Sequence, residues 1–285
     1  MCREWGFWGF VSSLMVLMML NSPAQAQESE WQEIKGHHFV VYYGPSEDLE
    51  AARQVLRKAE EYYRKIGDQI GYTRYLNFWT WDERVRIFMF HDQESFIHGT
   101  GQPVWIAGYV DRDAQLFESY TIMTYKQEEN FYDGLLPHEI SHLIMRDFIS
   151  PPQKSQYGRT PDRPIPVWLD EGVAQLQETY KYEIAEDMMR VLVHKGQHIP
   201  FEMFVRWDIR TEKEPVKIKA FYAQSLMVVR FLINTYGSSV FGRFCRSLRD
   251  GKTLEEALRS AYSNRILSVP ELEKKWIQFM GGRSF

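Results

Sequence analysis

Two histidines that lie four residues apart constrain the fold of this chain more than any other feature of its sequence. His138 and His142 begin and end the run His-Glu-Ile-Ser-His. The apolar residues around them recur at the spacing of an amphipathic helix, namely Leu135, Leu136, Ile140, Leu143, Ile144 and Phe148. Residues four apart on a helix share a face, with Cβ atoms about 5–6 Å apart, so both imidazoles can direct a nitrogen at one ion. The sequence therefore predicts a helix that carries two metal ligands.

Glu139 is the predicted catalytic base. It follows the first histidine by one residue, which is about 100° around a helix of 3.6 residues per turn. Its carboxylate is therefore expected beside the metal rather than on it, where it can take a proton from an attacking water molecule. Two imidazoles suit zinc, and a catalytic zinc usually keeps three protein ligands and one open position. We predict one zinc ion per chain and a third ligand elsewhere in the sequence.

Glu171 is the predicted third ligand. It lies in the run Trp-Leu-Asp-Glu-Gly-Val-Ala at residues 168–174, which follows a proline-rich turn ending at Pro166 and is typical of a helix start. Asp170 and Glu178 are competing candidates for the same role. A solvent-exposed helix carboxylate is the other interpretation of Glu171.

These motifs resemble the gluzincin metallopeptidases and, more narrowly, the bacterial peptidase MA-like group. The resemblance is carried by residues 138–142, by residues 168–174, and by Phe-Tyr-Ala-Gln-Ser at residues 221–225. It implies that the third zinc ligand is a glutamate on the helix after the one that carries the histidines. It also implies that a tyrosine or histidine from a later helix stabilises the oxyanion formed when water attacks the scissile carbonyl, and this role transfers to Tyr222.

The sequence departs from related enzymes at two places. Position 175, four residues after Glu171, is Gln, whereas thermolysin-like enzymes have there an Asp that supports a zinc-binding histidine. The group that orients the histidines is therefore unassigned. The chain between Tyr109 and Asp113 lacks the Gly-x-Met-x-Asn pattern with which one aminopeptidase branch grips a substrate's amino terminus. Exopeptidase action is not expected.

His194 and His198 are also four residues apart. The residues between them, Lys-Gly-Gln, indicate a loop rather than a helix, so their spacing does not predict a second metal site. They remain alternatives to Tyr222 as the group that stabilises the oxyanion.

The resemblance implies hydrolysis of a peptide or protein substrate by Glu-assisted attack of water. Two alternatives stay open: a domain that binds peptide or cell-wall material without cutting it, and a zinc amidase that acts on a non-protein amide. The intact base Glu139 argues against a purely binding domain. A net charge of -4 gives no electrostatic case for a nucleic-acid partner, and none is expected. The sequence does not indicate an oligomeric state.

The predicted fold class is α+β. We expect one catalytic domain over residues 27–285, with a mixed α/β lobe at about 27–150, a helical lobe at about 165–285, a sheet over the active-site helix, and the zinc site in the cleft between the lobes. Alternating and β-branched patterns predict strands at residues 39–43, 85–90, 105–110 and 116–123. The resemblance implies that one sheet edge, residues 105–110 or their hairpin partner, pairs with an extended substrate.

The spacing of apolar residues predicts further helices before and after the histidine motif. The predicted helices span residues 47–66, 176–194, 221–236, 238–248, 253–262 and 270–280. Capping boxes at Thr253 and Ser268 mark the starts of the last two. The proline-rich stretch between residue 150 and Pro166 is predicted to be a loop without regular structure.

The amino terminus predicts export. Arg3 precedes an uncharged run at residues 5–20, and Ala-Gln-Ala at residues 24–26 fits a signal-peptidase site. We predict a signal peptide of residues 1–26 and a periplasmic or extracellular mature protein with no stable membrane span. An uncleaved membrane anchor is the alternative. The mature chain would keep Cys245 as its single cysteine and so would have no internal disulfide.

Overall fold

The computed structural model describes residues 31–44, 49–72, 84–104, 108–111, 121–125, 130–149, 154–155, 158–159 and 165–282. The predicted signal peptide lies outside the described residues, as do parts of the two later predicted strands and most of the proline-rich stretch. None of the described helices combines the length and the apolar character that crossing a membrane requires.

A five-stranded sheet forms the amino-terminal part of the protein. Its strands are β1 (Gln32–Lys35), β2 (Phe39–Tyr43), β3 (Val85–Phe90), β4 (Gly108–Asp111) and β5 (Thr121–Tyr125), in the order β1-β2-β3-β5-β4. The three central strands are parallel, and both outer strands are antiparallel to their neighbours. β2 and β3 have the predicted bounds, and β4 and β5 overlap the two later predictions. Both outer positions therefore belong to short strands.

Helices cover both faces of this sheet. Alternate residues of β2 and β3, such as Val41 and Ile87, are fully buried and face the long helix α1 (Leu49–Ile70). Phe88 and Phe90 point the other way and form a second apolar cluster with Phe96 of α2 (Gln93–Thr100). The sequence predicted α1, which runs beyond the expected end at residue 66, but not α2. The side chain of Asp92 caps that short helix by accepting a hydrogen bond from the Ser95 backbone N–H.

The rest of the described chain is mainly helical. Its helices are α3 (Leu136–Ile149), α4 (Val167–Gln175), α5 (Tyr182–His194), α6 (Phe201–Phe204), α7 (Pro215–Tyr236), α8 (Ser238–Arg249), α9 (Leu254–Tyr262) and α10 (Val269–Met280). The capping box at Thr253 is confirmed. At Ser268 the hydroxyl caps α10, but the Glu271 carboxylate accepts from the Leu267 N–H instead, so the second box is only half formed.

The predicted helix over residues 176–194 is wrong in its first part. α4 ends at Gln175, a turn follows, and Thr179–Lys181 form a 3-10 turn before α5 begins. The N–H groups of Gln177 and Glu178 bond to carbonyls three residues back, which tightens and ends the helix. No glycine or proline in the sequence marks this break. The spacing of apolar residues alone therefore predicted one helix through it.

The proline-rich stretch also differs from the prediction. Lys154–Ser155 (β6) and Gly158–Arg159 (β7) pair as a short antiparallel hairpin. Strands of two residues are too short to show an alternating pattern, so this hairpin could not be recognised in the sequence.

One continuous apolar core joins the sheet and the helices, and the α+β fold class is confirmed. Helix α3 lies in the middle of it. On one side α3 contacts α1 and the edge strand β4, and on the other it contacts α4 and α8. A short π-helical turn, Phe131–Leu135, leads into α3. The helix with the histidine motif is thus held between the sheet and the helical part of the chain.

Replacing Gly172 by Ala is expected to lower the free energy of unfolding by roughly 1–3 kcal/mol. Helices α4 and α7 pack closely at this glycine, where an added Cβ would lie 2.6 Å from the Ser225 carbonyl oxygen and 2.6 Å from Val229 Cγ2. A backbone carbonyl cannot move aside cheaply. In an unobstructed helix the same change would stabilise by about 1 kcal/mol, so the steric overlap decides the sign.

Urea denaturation measures this effect, with Gly67→Ala as the matched control. Gly67 also lies within a helix, but an added Cβ there would meet only Tyr72 Cδ1 at 3.5 Å, which is ordinary contact. Gly67→Ala should leave stability unchanged or slightly raise it. Equal effects of the two substitutions would contradict the close approach of α4 and α7.

Candidate metal centre

Helix α3 places the two histidines of the motif side by side, as its spacing predicted. Nearly every other residue of α3 is buried in the core, whereas the His138 and His142 side chains keep 16% and 11% of their surface exposed. Their Nε2 atoms are 3.2 Å apart, and the ring planes are inclined at 76°. Both imidazoles therefore direct the same nitrogen towards one point.

Helix α4 brings Glu171 to the same point. Its Oε2 lies 4.0 Å from His142 Nε2, and the donor atoms of His138, His142 and Glu171 all lie within 4.8 Å of one another. α4 begins directly after Pro166, where the sequence placed a helix start. Within the described ranges, no other group of three such side chains meets this spacing.

This donor set fits a zinc ion. Zinc prefers imidazole nitrogen and carboxylate oxygen in a tetrahedral arrangement, with bonds of about 2.0–2.2 Å that put neighbouring donor atoms roughly 3.4 Å apart. The nitrogen pair at 3.2 Å and the nitrogen–oxygen pair at 4.0 Å lie on either side of that value. Side-chain adjustment would bring the three donor atoms, which lie within 4.8 Å of one another, to this spacing around one ion.

The two competing acids lie behind the histidines. Glu178 Oε1 is 2.9 Å from His138 Nδ1, and Asp170 Oδ1 is 3.0 Å from His142 Nδ1. Each carboxylate thus faces the nitrogen that points away from the shared site. Neither acid belongs to the group of donor atoms at the shared site. When Nε2 of each ring binds a metal ion, the proton on Nδ1 would face the carboxylate behind it.

The charges around the site favour a cation. Burial works against a charged His142, but the carboxylates of Asp170, Glu171 and Glu139 raise its pKa to about 10. Burial raises the pKa of Glu171, and the two histidines only partly offset this. Three carboxylates thus act on His142 in a nearly buried space, and a divalent ion would relieve the repulsion among them.

Glu139 and Tyr222 border this group. Glu139 is 6% exposed, and its charge acts on both His142 and Glu171. Tyr222 is a half-buried residue of α7, the helix that packs against α4. Burial and the charge of Glu171 raise the pKa of Tyr222 to about 12, partly opposed by Arg210. Tyr222 therefore keeps its proton at neutral pH and can donate a hydrogen bond.

His194 and His198, the two alternatives to Tyr222, lie outside the metal-binding group. His198 Nε2 lies 3.0 Å from Glu273 Oε1, and His194 is an exposed residue at the end of α5. Neither belongs to the group of metal-binding side chains that the structure brings together.

Arg210 is a residue near the site that the sequence did not reveal. It lies in a 3-10 turn, Ile209–Thr211, and its guanidinium contacts both carboxylate oxygens of Asp208 at 2.6 Å. Its hydrogen bond to Asp208 raises its pKa, and the charges of Glu171 and Asp170 add to the effect. No sequence motif marks it, because its proximity to these acids arises only from the tertiary fold.

Comparison with known proteins adds one match. The family model described as the peptidase MA superfamily matches residues 129–282, more than half of the 285-residue chain. The matched segment contains both histidines of the motif, Glu139, Glu171 and Tyr222. No curated protein matches the chain.

Proposed function

The chain belongs to the peptidase MA superfamily, and from this premise we propose that it is an exported zinc metallopeptidase that hydrolyses peptide bonds. The observation that carries the proposal is the convergence of His138, His142 and Glu171, whose donor atoms lie within 4.8 Å of one another. Glu139 lies nearly buried beside them. Three ligands and an adjacent base are the set that metal-assisted hydrolysis requires.

In the proposed mechanism each residue has one task. When bound by the two histidines and Glu171, zinc would supply Lewis acidity for the scissile carbonyl and for the attacking water. Glu139 accepts the proton of that water and delivers it to the leaving nitrogen. Tyr222 donates its hydroxyl proton in a hydrogen bond to the oxyanion as charge develops there. The near-complete burial of Glu139 strengthens these electrostatic interactions.

The sheet edge supports an extended peptide as the substrate. Among the described strands, β4 is the outermost on its side of the sheet; it pairs with β5 and contacts the helix that carries the histidines. Its other edge can accept a substrate backbone as an added strand. The hairpin partner β5 lies between β3 and β4, so it has no such edge. We therefore propose β4, rather than β5, as the strand that pairs with the substrate.

Export rests on the sequence alone. The charged start, the apolar run and the Ala-Gln-Ala site support a leader that is removed after Ala26, and a periplasmic or extracellular mature protein. The proposed partner is a peptide or protein substrate.

Cleavage assays separate peptide hydrolysis from the two alternatives. The mature protein is incubated with a mixed peptide library and, separately, with peptidoglycan fragments. We expect cleavage of internal peptide bonds that a chelator abolishes and added zinc restores. Release of products only from peptidoglycan fragments would favour the amidase. Zinc binding without any cleavage would favour a binding domain, since the chemistry of the site is shared and specificity depends on the cleft walls.

Replacing Tyr222 by Phe is expected to lower kcat by about 10²- to 10³-fold, the usual cost of removing one oxyanion donor. The ring would still fill its half-buried position on α7, so KM and zinc content should change little. Steady-state kinetics on a cleaved peptide measure the effect. Tyr236→Phe, at the other end of the same helix, is the matched control and should retain full kcat. If both variants had wild-type kcat, Tyr222 would have no role in the transition state.

A further inference from the structure

We propose that Glu178 is the residue that positions His138 for metal binding. The inference rests on the proposed zinc site and extends it, because the sequence leaves unassigned the group that orients the histidines. Glu178 belongs neither to the His-Glu-Ile-Ser-His run nor to residues 168–174.

The contact between the two side chains has the geometry of an orienting hydrogen bond. Glu178 is 5% exposed, and its Oε1 lies 2.9 Å from His138 Nδ1. The other ring nitrogen of His138 lies 3.2 Å from His142 Nε2, on the side of the metal ligands. A carboxylate that accepts the Nδ1 proton fixes the tautomer, holds the ring plane, and leaves the Nε2 lone pair for the metal.

The break after α4 gives Glu178 its position. The helix that carries Glu171 ends at Gln175, and Glu178 has the non-helical backbone angles φ −89° and ψ 68°. The chain therefore turns back between the third ligand and Glu178. This turn allows neighbouring residues of one segment to approach the site from two sides, Glu171 at the metal and Glu178 behind His138.

The second oxygen of Glu178 is also held. Tyr180 donates its hydroxyl to Oε2 at 2.7 Å, and the ammonium of Lys181 contacts the same oxygen. The Tyr180 ring packs against Gly134, where an added Cβ would lie 3.0 Å from Tyr180 Cε1. Gly134 lies in the π-helical turn that leads into α3. Glu178 is thereby fixed with respect to the start of the histidine helix.

Each histidine has a carboxylate on the side away from the shared site. Asp170 Oδ1 is 3.0 Å from His142 Nδ1, as Glu178 Oε1 is 2.9 Å from His138 Nδ1. The Glu178 carboxylate is bonded on both of its oxygens, to His138 and to Tyr180, so its position does not depend on the histidine alone.

Zinc affinity tests this role independently of catalysis. Mature Glu178→Gln and Glu178→Ala proteins are titrated with zinc in competition with a chromophoric chelator. We expect zinc to bind about 10- to 100-fold more weakly than in wild type, with the larger loss in Glu178→Ala, at an unchanged stoichiometry. Glu186→Gln is the matched control, because Glu186 is a half-buried glutamate in an ion pair with Arg230 and should leave zinc affinity unchanged.

Two further measurements separate positioning from folding. The visible spectrum of the cobalt-substituted Glu178→Gln protein should differ from wild type, because the ligand field depends on the ring orientation of His138. Tyr180→Phe removes one support of the Glu178 carboxylate without touching His138, and should weaken zinc binding in the same direction by a smaller factor. It keeps the proposal testable if Glu178→Ala does not fold.

The outcomes distinguish this inference from the proposed function. Wild-type zinc affinity and an unchanged cobalt spectrum in Glu178→Gln would overturn the positioning role and leave the zinc peptidase assignment in place. Loss of all zinc from both Glu178 variants would make Glu178 a ligand and also overturn it. A wild-type protein that binds no zinc would overturn both proposals.

Discussion

Replacing Glu139 by Gln is expected to lower the peptidase activity by about 10²- to 10⁴-fold, the range that a general acid–base group contributes. The amide has nearly the size of the carboxylate but cannot accept a proton from water. Glu139 is nearly buried in α3 and lies outside the group of donor atoms, so the substitution should leave one zinc ion bound. The values of kcat/KM and the zinc content of the same preparation measure the two effects.

Measuring kcat/KM and zinc content together distinguishes the possible roles of Glu139. Loss of both zinc and activity would mean that Glu139 supports the metal rather than the proton transfer. Activity within a few-fold of wild type would remove Glu139 from the role of base. Glu183→Gln, at an exposed glutamate of α5, is the control and should change neither reading.

Replacing Glu171 by Ala is expected to weaken zinc binding by roughly 10²- to 10³-fold and to abolish cleavage at ordinary zinc concentrations. The magnitude follows from an apparent binding free energy of about 10–16 kcal/mol for four-ligand zinc sites, or roughly 3 kcal/mol per ligand. His138 and His142 alone would leave a two-ligand site. Competition with a chelator measures the affinity, and elemental analysis measures the zinc retained after dialysis.

Asp170→Asn is the matched control for this prediction. Asp170 is the neighbour of Glu171 on α4, but its carboxylate faces His142 Nδ1 and not the shared site. The Asn variant should retain one zinc per chain, with a smaller loss of zinc affinity than Glu171→Ala. The opposite result, with zinc lost from Asp170→Asn and kept by Glu171→Ala, would show that Asp170 and not Glu171 is the third ligand.

The sequence predicted those parts of the site that depend on local geometry. Because His138 and His142 are four residues apart, they lie side by side once the segment is helical. The spacing of the apolar residues around them made that helix recognisable. Pro166 marked the start of α4 in the same way. β2 and β3 were recognisable because they consist mainly of β-branched and aromatic residues.

The sequence could not predict the groups behind the histidines. Glu178 reaches His138 only because the chain turns after Gln175, and no glycine or proline in the sequence marks that turn. Asp170 and Glu171 are adjacent in sequence, and only the orientation of α4 decides which of them faces Nε2 and which faces Nδ1. The orientation of a helix is set by contacts between distant segments, and these cannot be predicted from the spacing of apolar residues.

Short elements were missed for a different reason. Helix α2 has a cap at Asp92, but its eight residues span about two turns and bury only Phe96, so no apolar period could be seen. The cap was the one available signal, and it becomes meaningful only next to a recognised helix.

A zinc titration of the metal-stripped mature protein, with bound zinc and cleavage of one peptide recorded on the same samples, tests whether the chain is a zinc peptidase. We expect the stripped protein to be inactive, and its activity to rise in proportion to bound zinc and to stop rising at one ion per chain. Full activity in the stripped protein, or saturation of the site without any cleavage, would contradict the zinc peptidase assignment.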